Sequence, residues 1–280
     1  MDANTWVDPG VVGWLNEKAV ALQLDVDTDA VAKEFDIRAM PTVVAIKNDR
    51  ELDRIVGYRA PQQLLAWLDG LEQGKTELDA QRASAKGNDL SARFQLAQTL
   101  LMRGAIDEAA AEMLWLWNNA LAIDPAWAGV RASFLLGLLE EAAGAAPNAR
   151  AVIAAQRDAS ERGGDDWICL NKALGDEQAT LAWFDEARAK GPLKGVNLYL
   201  EALLMEQGRW KDLGEVITNP LQRLQRNYDV ISQVPPELAE EARNGVRAEA
   251  EALEKALRAA GRSAEADELV AEARRRDPSR

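Results

Sequence analysis

Residues 37–46 of the chain, Ile-Arg-Ala-Met-Pro-Thr-Val-Val-Ala-Ile, decide how the rest of the sequence is interpreted. A helical run at residues 30–35 ends just before this stretch, and continuous apolar residues follow its proline. Pro41 has no N–H to donate to a sheet, so it belongs in a turn or at the first position of a strand. Since cis peptide bonds in folded proteins almost always precede proline in tight turns, the Met40–Pro41 bond is predicted to be cis.

The flanking residues predict a short series of helices and strands. Asp8 can cap a helix whose first position suits Pro9. The apolar run at residues 19–26 predicts a buried strand. The remaining predictions are a helix at 29–35, a strand at 42–47, a tight turn at 48–50, a returning strand at 52–56 and an amphipathic helix at 61–71.

This order of elements around Met40, Pro41 and Thr42 resembles the C-terminal part of the thioredoxin family. The resemblance covers residues 1–72. It implies a thioredoxin-like α/β segment whose cis-proline loop faces the redox site and binds extended polypeptide. Those three residues are therefore the predicted peptide-binding site. The Cys-x-x-Cys pair of the family does not occur in the sequence, so no catalytic residue is assigned.

The beginning of the sequence leaves two explanations open. Met1 resembles the methionine that follows the redox pair in many family members, so the first strands and both cysteines would lie upstream of an internal start. Alternatively, the protein is a degenerate, redox-silent relative. We favour the internal start, because a sheet that lacks its strand between residues 20–26 and 42–47 has two unpaired edges. Many thioredoxins have a lysine near the buried acid of the redox site, and Gln23 stands at that position here. This departure leaves open whether a longer chain with the cysteine pair would have the redox properties usual for the family.

Composition excludes several classes of function. The 280 residues contain no histidine, which argues against Ser-His-Asp triads and against nearly every catalytic zinc site. The net charge of −13 argues against nucleic-acid partners, whose phosphates require a basic face. No apolar run approaches the ~18–20 residues of a membrane span. No signal-peptide pattern follows Met1, so the expected location is cytoplasmic, or periplasmic if an upstream signal exists.

After residue 72 the sequence changes to helical patterns that resume near Glu77 and continue, with short breaks, to the end. Residues 73–76 are the predicted boundary between domains 1–72 and 73–280. Residues 90–124 resemble a tetratricopeptide unit that is about four residues longer than usual. The last helix pair of the sequence matches the tetratricopeptide signature best. The expected fold class is therefore α/β plus all-α, with a tetratricopeptide-like helical array. The predicted helix pairs are 90–102 with 107–123, 127–143 with 149–162, 165–174 with 177–189, 195–207 with 210–217, and 237–259 with 264–276, ended by Asp277-Pro278.

Candidate chemical groups in the sequence have simpler structural interpretations. Cys169 follows two acids, which disfavour a thiolate, so we expect a buried core residue. Trp115 and Trp117 are two positions apart and should face different ways on one helix. The alternating acids Asp25, Asp27 and Asp29 lack the rest of a calcium loop, and no metal site or cofactor is predicted. The acid pairs 140–141 and 240–241 fit solvated helix faces, and the glycines at 163–164 fit a helix break.

The combination of domains resembles the chaperedoxins, bacterial holdases that join a thioredoxin-like domain to tetratricopeptide-type repeats. The resemblance implies a protein that binds polypeptide clients or partners as a holdase or adaptor in cell redox homeostasis. The alternative is a thiol-disulfide oxidoreductase whose cysteine pair lies upstream of Met1, so enzymatic activity stays open. A third possibility is an assembly scaffold that uses only the helical array.

Overall fold

The computed structural model describes residues 1, 3–35, 37, 39–231 and 233–277. Within them the protein is mostly helical, with fifteen α-helices and one sheet of two strands. In chain order the elements are α1 Pro9–Lys18, β1 Thr42–Lys47, β2 Arg50–Val56, α2 Pro61–Glu72, α3 Glu77–Ser84, α4 Leu90–Met102, α5 Ile106–Ile123, α6 Ala128–Val130, α7 Leu136–Ala145, α8 Pro147–Ala159, α9 Asp165–Leu174, α10 Glu177–Lys190, α11 Leu198–Glu206, α12 Trp210–Val216, α13 Pro220–Ile231, α14 Ala239–Ala259 and α15 Ser263–Arg276. Short 3-10 segments are Ala30–Phe35, Pro125–Trp127 and Pro236–Leu238, and Arg131–Leu135 forms a π-helix.

The chain divides into two compact units, Met1–Ala126 and Trp127–Arg280. The first contains the sheet and helices α1–α5, and the second contains helices α6–α15. The predicted boundary after residue 72 lies within the first unit and stays a prediction.

The two strands form an antiparallel hairpin, as the sequence predicts. The turn residues Asn48 and Asp49 have φ values of 55° and 57°, the conformation of the tight turns that best match strand twist. Thr42 pairs with Val56, and the register shifts after Ala45 so that β2 contains one extra residue. This bulge leaves the alternation of side chains along β1 undisturbed.

One prediction in the segment before the hairpin is wrong, and a second differs in the type of helix. Residues 19–25 are neither helix nor strand, and every one of them is exposed, where the sequence predicts a buried strand at 19–26. A strand requires a paired neighbour, and among the described residues β1 and β2 pair only with each other. The helix predicted at 29–35 is instead the 3-10 helix Ala30–Phe35. Asp36 and Arg38 lie outside the described residues.

Helices α1 and α2 cover one face of the hairpin. Asp8 caps α1 by accepting hydrogen bonds from the N–H groups of Gly10 and Val11, as predicted. The core beneath the helices consists of Val11, Ile55, Leu64, Trp67 and Leu68, all buried, with Val43 and Ala45 of β1 packed against them. Burial of this apolar area fixes which face of β1 is inside.

The carboxylate of Asp53 connects four elements of the first unit. This side chain is fully buried on β2. It accepts hydrogen bonds from the indole of Trp67 at 2.8 Å and from the backbone N–H of Glu77 at 2.6 Å. The guanidinium of Arg103, in the turn after α4, lies 2.7 Å from its other oxygen. The hairpin is therefore joined to α2, α3 and the α4–α5 turn through one charged group.

Beyond α3, four helix pairs share the same turn geometry. In each turn a glycine adopts a positive φ, and the next residue donates its N–H to the carbonyl five positions earlier, which ends the first helix as in a Schellman motif. The residues that supply these carbonyls are all fully buried. The glycine and carbonyl pairs are Gly104 with Leu100, Gly175 with Asn171, Gly208 with Leu204, and Gly261 with Leu257.

Several helix boundaries differ from the sequence prediction. The predicted helix at 127–143 is interrupted by the π-helix Arg131–Leu135, and the helix predicted at 195–207 begins only at Leu198. Helix α13 was not predicted. Helices α4 and α9 have the predicted bounds. Pro278, the predicted stop after α15, lies outside the described residues.

Candidate functional site

The predicted peptide-binding residues lie at the entrance to β1. The Met40–Pro41 bond is cis, which confirms the sequence prediction. The Met40 side chain is 71% exposed. Thr42 donates from its hydroxyl to the carbonyl of Ala39 at 2.6 Å, which closes the turn on the chain that precedes it. Their role in binding peptide stays a prediction.

The outer edge of β1 presents backbone groups that other described residues leave unpaired. Gly57 donates its N–H to the carbonyl of Pro41 at 2.8 Å, so Pro41 directs its hydrogen bond toward β2. Hydrogen-bonding direction alternates along an antiparallel strand. The N–H and C=O groups of Thr42, Val44 and Ile46 therefore point away from β2. The arrangement is the free edge that an added strand requires.

The sheet face opposite α1 and α2 is apolar near this edge. Ile46 is 51% exposed and Val56 is 36% exposed on this side of the hairpin. Arg54, beside Val44, donates to the carbonyl of Phe35 at 3.0 Å and pairs with Glu51. The hydrogen bond from Arg54 lowers the pKa of the Glu51 carboxyl, which keeps this pair charged near neutral pH.

Cys169 is a core residue of the second unit, as predicted. Its side chain is buried on α9, with the Asn197 amide nitrogen 3.6 Å from the sulfur. Burial raises the pKa of the thiol from 9.0 to about 11. The thiol is therefore protonated near neutral pH, and a protonated thiol is a poor nucleophile.

The two neighbouring tryptophans on α5 face different ways, which confirms the prediction. Trp117 is 2% exposed and belongs to the core. Trp115 is half-buried, and the guanidinium of Arg93 stacks over its ring at 3.7 Å from the ring centre. Arg93 also pairs with Glu112 at 2.5 Å. The outward face of Trp115 is therefore covered by a stacked cation.

The acids singled out in the sequence have local roles. Asp29 accepts a hydrogen bond from the N–H of Asp25, and Asp25 accepts one from the N–H of Asp27, so these acids form a turn. Within the described ranges no group of three acids or cysteines is arranged to hold a metal ion. The acid pairs at 140–141 and 240–241 are exposed on helices. Among the helices described, none has the length and apolar content to cross a membrane.

Sequence reasoning missed that Val44 and Ile46 are the outward-facing members of β1. Residues 43–46 are all apolar, so their pattern does not distinguish the two faces. The distinguishing signal is the pairing of Pro41 with Gly57, which fixes the register.

Comparison with known proteins gives a local similarity. The chain is 54% identical over 39 residues to a thioredoxin H-type protein of Brassica campestris. The matched region is 14% of this chain and 32% of the relative, so the chain spans about a third of the relative's length. No family model matches the sequence, and no solved structure matches it. A short part of the chain is therefore similar to part of a thioredoxin.

Proposed function

We propose that the protein binds extended polypeptide segments of clients or partners at the outer edge of β1, as a holdase or adaptor. The observation that supports this function is the free backbone edge formed by Thr42, Val44 and Ile46, immediately after the exposed cis-proline turn. An added strand satisfies these groups with main-chain hydrogen bonds. The local similarity to a thioredoxin is consistent with this use of the loop Met40–Thr42.

The side chains around the edge favour apolar clients. A strand added beside β1 places alternate side chains next to Val44 and Ile46 on the open face. Because the chain has a net charge of −13, clients with flanking basic residues associate faster than acidic ones.

The helix pairs supply a second surface in this proposal. Their repeated glycine turn, seen at Gly104, Gly175, Gly208 and Gly261, is compatible with a tetratricopeptide-like array. Arrays of stacked helix pairs offer long surfaces to proteins and peptides. We assign them the task of holding the client or a partner after the first contact at β1.

The proposed function assigns no redox chemistry to the residues of this chain. The buried Cys169 has a thiol pKa of about 11 and no second cysteine to form a pair. Turnover of disulfides that survives replacement of Cys169 by Ser would contradict this assignment.

A proline substitution at the free edge tests the binding site. Val44→Pro removes an outward N–H but no hydrogen bond of the β1–β2 ladder, so the hairpin should persist. Val44→Thr is the matched control, because it keeps both the N–H and the branched shape. The probe is a short fluorescein-labelled peptide of alternating valine and threonine flanked by lysines, and fluorescence anisotropy measures its binding.

The expected result is saturable binding to wild type and Val44→Thr, and at least about tenfold weaker binding to Val44→Pro. Circular dichroism and hydrogen exchange of residues 42–56 check that the hairpin is folded in all three proteins. Equal affinity of Val44→Pro and wild type, with an intact hairpin, would rule out the β1 edge as the binding site.

A further inference from the structure

Residues 19–25 have an exposed apolar surface that nothing in the described chain covers. Val20 is 89% exposed, Leu22 is 80% exposed and Leu24 is 39% exposed. In an extended strand these three side chains lie on one face, because they are two positions apart. The segment therefore has the pattern of a half-buried strand that pairs with no other described residue, and the hairpin that follows the 3-10 helix Ala30–Phe35 has an edge that no described residue pairs with.

We propose that residues 20–25 of one copy of this chain pair, in parallel, with the outer edge of β1 in a second copy. In the register that we assign, Leu22 lies beside Val44 and Leu24 lies beside Ile46. The apolar side chains of the segment and of the open sheet face then adjoin. The same register places Asp25 beside Lys47, the exposed last residue of β1.

Charge determines the direction of the strand. The segment begins after Lys18 and ends at Asp25, while β1 ends at Lys47. Parallel pairing brings Asp25 and Lys47 together, and opposite charges on neighbouring strands stabilise a sheet. Antiparallel pairing would leave Asp25 beside the apolar Pro41 and away from Lys47, so that arrangement lacks the contact between opposite charges.

Two copies are sufficient to satisfy both elements. Each chain offers one segment and one edge, so a two-fold arrangement pairs each segment with the edge of the other copy and closes the assembly. Self-pairing occupies the same edge that we propose for clients, but it does not require that any client binds there. The two proposals can therefore fail separately. A dimer that binds no peptide would support only self-pairing, and a monomer that binds peptide would support only the proposed function.

Disulfide trapping tests the register directly. Leu22→Cys and Val44→Cys are made in separate chains, both carrying Cys169→Ser, and the two proteins are mixed and oxidised. Neighbouring strand positions meet the spacing that a disulfide requires. A cross-linked dimer that forms in the mixture and not with either protein alone is the expected result. Leu22→Cys mixed with Val230→Cys, on the exposed surface of α13, is the control. Equal cross-linking in both mixtures would overturn the proposal.

Charge reversal tests the direction of pairing. Analytical ultracentrifugation of the whole chain should show dimers that dissociate on dilution. Lys47→Glu should weaken the dimer about tenfold, and Asp25→Lys combined with Lys47→Glu should restore most of the loss. Arg50→Glu changes the same charge at the start of β2 and should have little effect. A monomer at all concentrations, open polymers, or a double variant as weak as Lys47→Glu would each overturn the proposal.

Discussion

The indole N–H of Trp67 on α2 donates a 2.8 Å hydrogen bond to the buried carboxylate of Asp53 on β2. Its side chain is fully buried, and the Arg103 guanidinium lies 2.7 Å from its second oxygen. A buried charge is tolerated only when its partners satisfy it. Asp53 therefore holds the hairpin, α2 and the α4–α5 turn in one arrangement.

Asp53→Asn should destabilise the region around the hairpin by about 2–3 kcal/mol, because it leaves the Arg103 guanidinium without its counter-charge. The effect should appear in native-state hydrogen exchange of residues 50–79, which reports local opening. Asp69→Asn is the matched control, since Asp69 accepts a 2.9 Å hydrogen bond from Trp14 at an exposed position. The control should cost no more than about 0.5 kcal/mol. If the two variants lost the same free energy of unfolding, the buried contacts of Asp53 would contribute no more stability than the exposed contact of Asp69.

Helices α12 and α14 approach so closely that only glycine fits at position 214. A Cβ at Gly214 would lie 2.0 Å from the carbonyl oxygen of Ala256, a backbone atom that cannot move aside. Gly214→Ala should therefore lower the thermal midpoint by at least about 5 °C. Gly245→Ala is the control, because nothing lies within 4 Å of its Cβ position on α14. That change should raise helix stability by up to about 1 kcal/mol. A midpoint for Gly214→Ala equal to that of wild type would contradict the close packing.

One of the four glycine turns has a polar residue where the other three have leucine. Asn171 is fully buried before Gly175 and donates to the hydroxyl of Thr180 at 3.1 Å, while Ala109 and Ala266 are the matching residues in two of the other pairs. Asn171→Leu alone should destabilise by about 1–3 kcal/mol, since it leaves the buried Thr180 hydroxyl unpaired. Asn171→Leu with Thr180→Ala removes both polar groups and should recover most of that loss. Chemical unfolding of the four proteins of this double-mutant cycle measures the coupling, and additive effects would refute it.

The sequence predicts those elements whose signals are local. Asp89 and Gly104 mark the ends of α4, and Asn48-Asp49 marks the hairpin turn, because caps and turns depend on neighbouring residues. The strand at 19–26 could not be judged in this way, since a strand forms only with a paired neighbour and pairing is not local. The apolar run at 19–26 was interpreted as a buried strand, whereas Val20, Leu22 and Leu24 are exposed.

In the candidate site, too, features with a local sequence signal were predicted and features that depend on distant residues were not. The cis bond at Met40–Pro41 follows from residue types, whereas the outward direction of Val44 depends on the pairing between Pro41 and Gly57. No role was predicted for Asp53. Its partners Trp67, Glu77 and Arg103 are 14, 24 and 50 positions away, too far for any pattern in the sequence to join them.

Burial of Cys169 predicts that its thiol reacts slowly in the folded protein. The pKa is raised from 9.0 to about 11, because burial disfavours the thiolate and the neighbouring Asp165 and Asp166 repel it. At pH 8 this shift lowers the thiolate fraction about a hundredfold relative to an unperturbed thiol. Reaction with Ellman's reagent should therefore be at least about a hundredfold slower in buffer than in urea that unfolds the chain.

The rate in the folded protein should rise with pH up to about 11, where the thiol ionises. A variant with an added surface cysteine, Val230→Cys, gives the reference rate, because position 230 is 54% exposed on α13. That cysteine should react in buffer at nearly the rate seen in urea, while Cys169 in the same protein stays slow. Equal rates for both thiols in buffer would place Cys169 at the surface and reopen a reactive role for it.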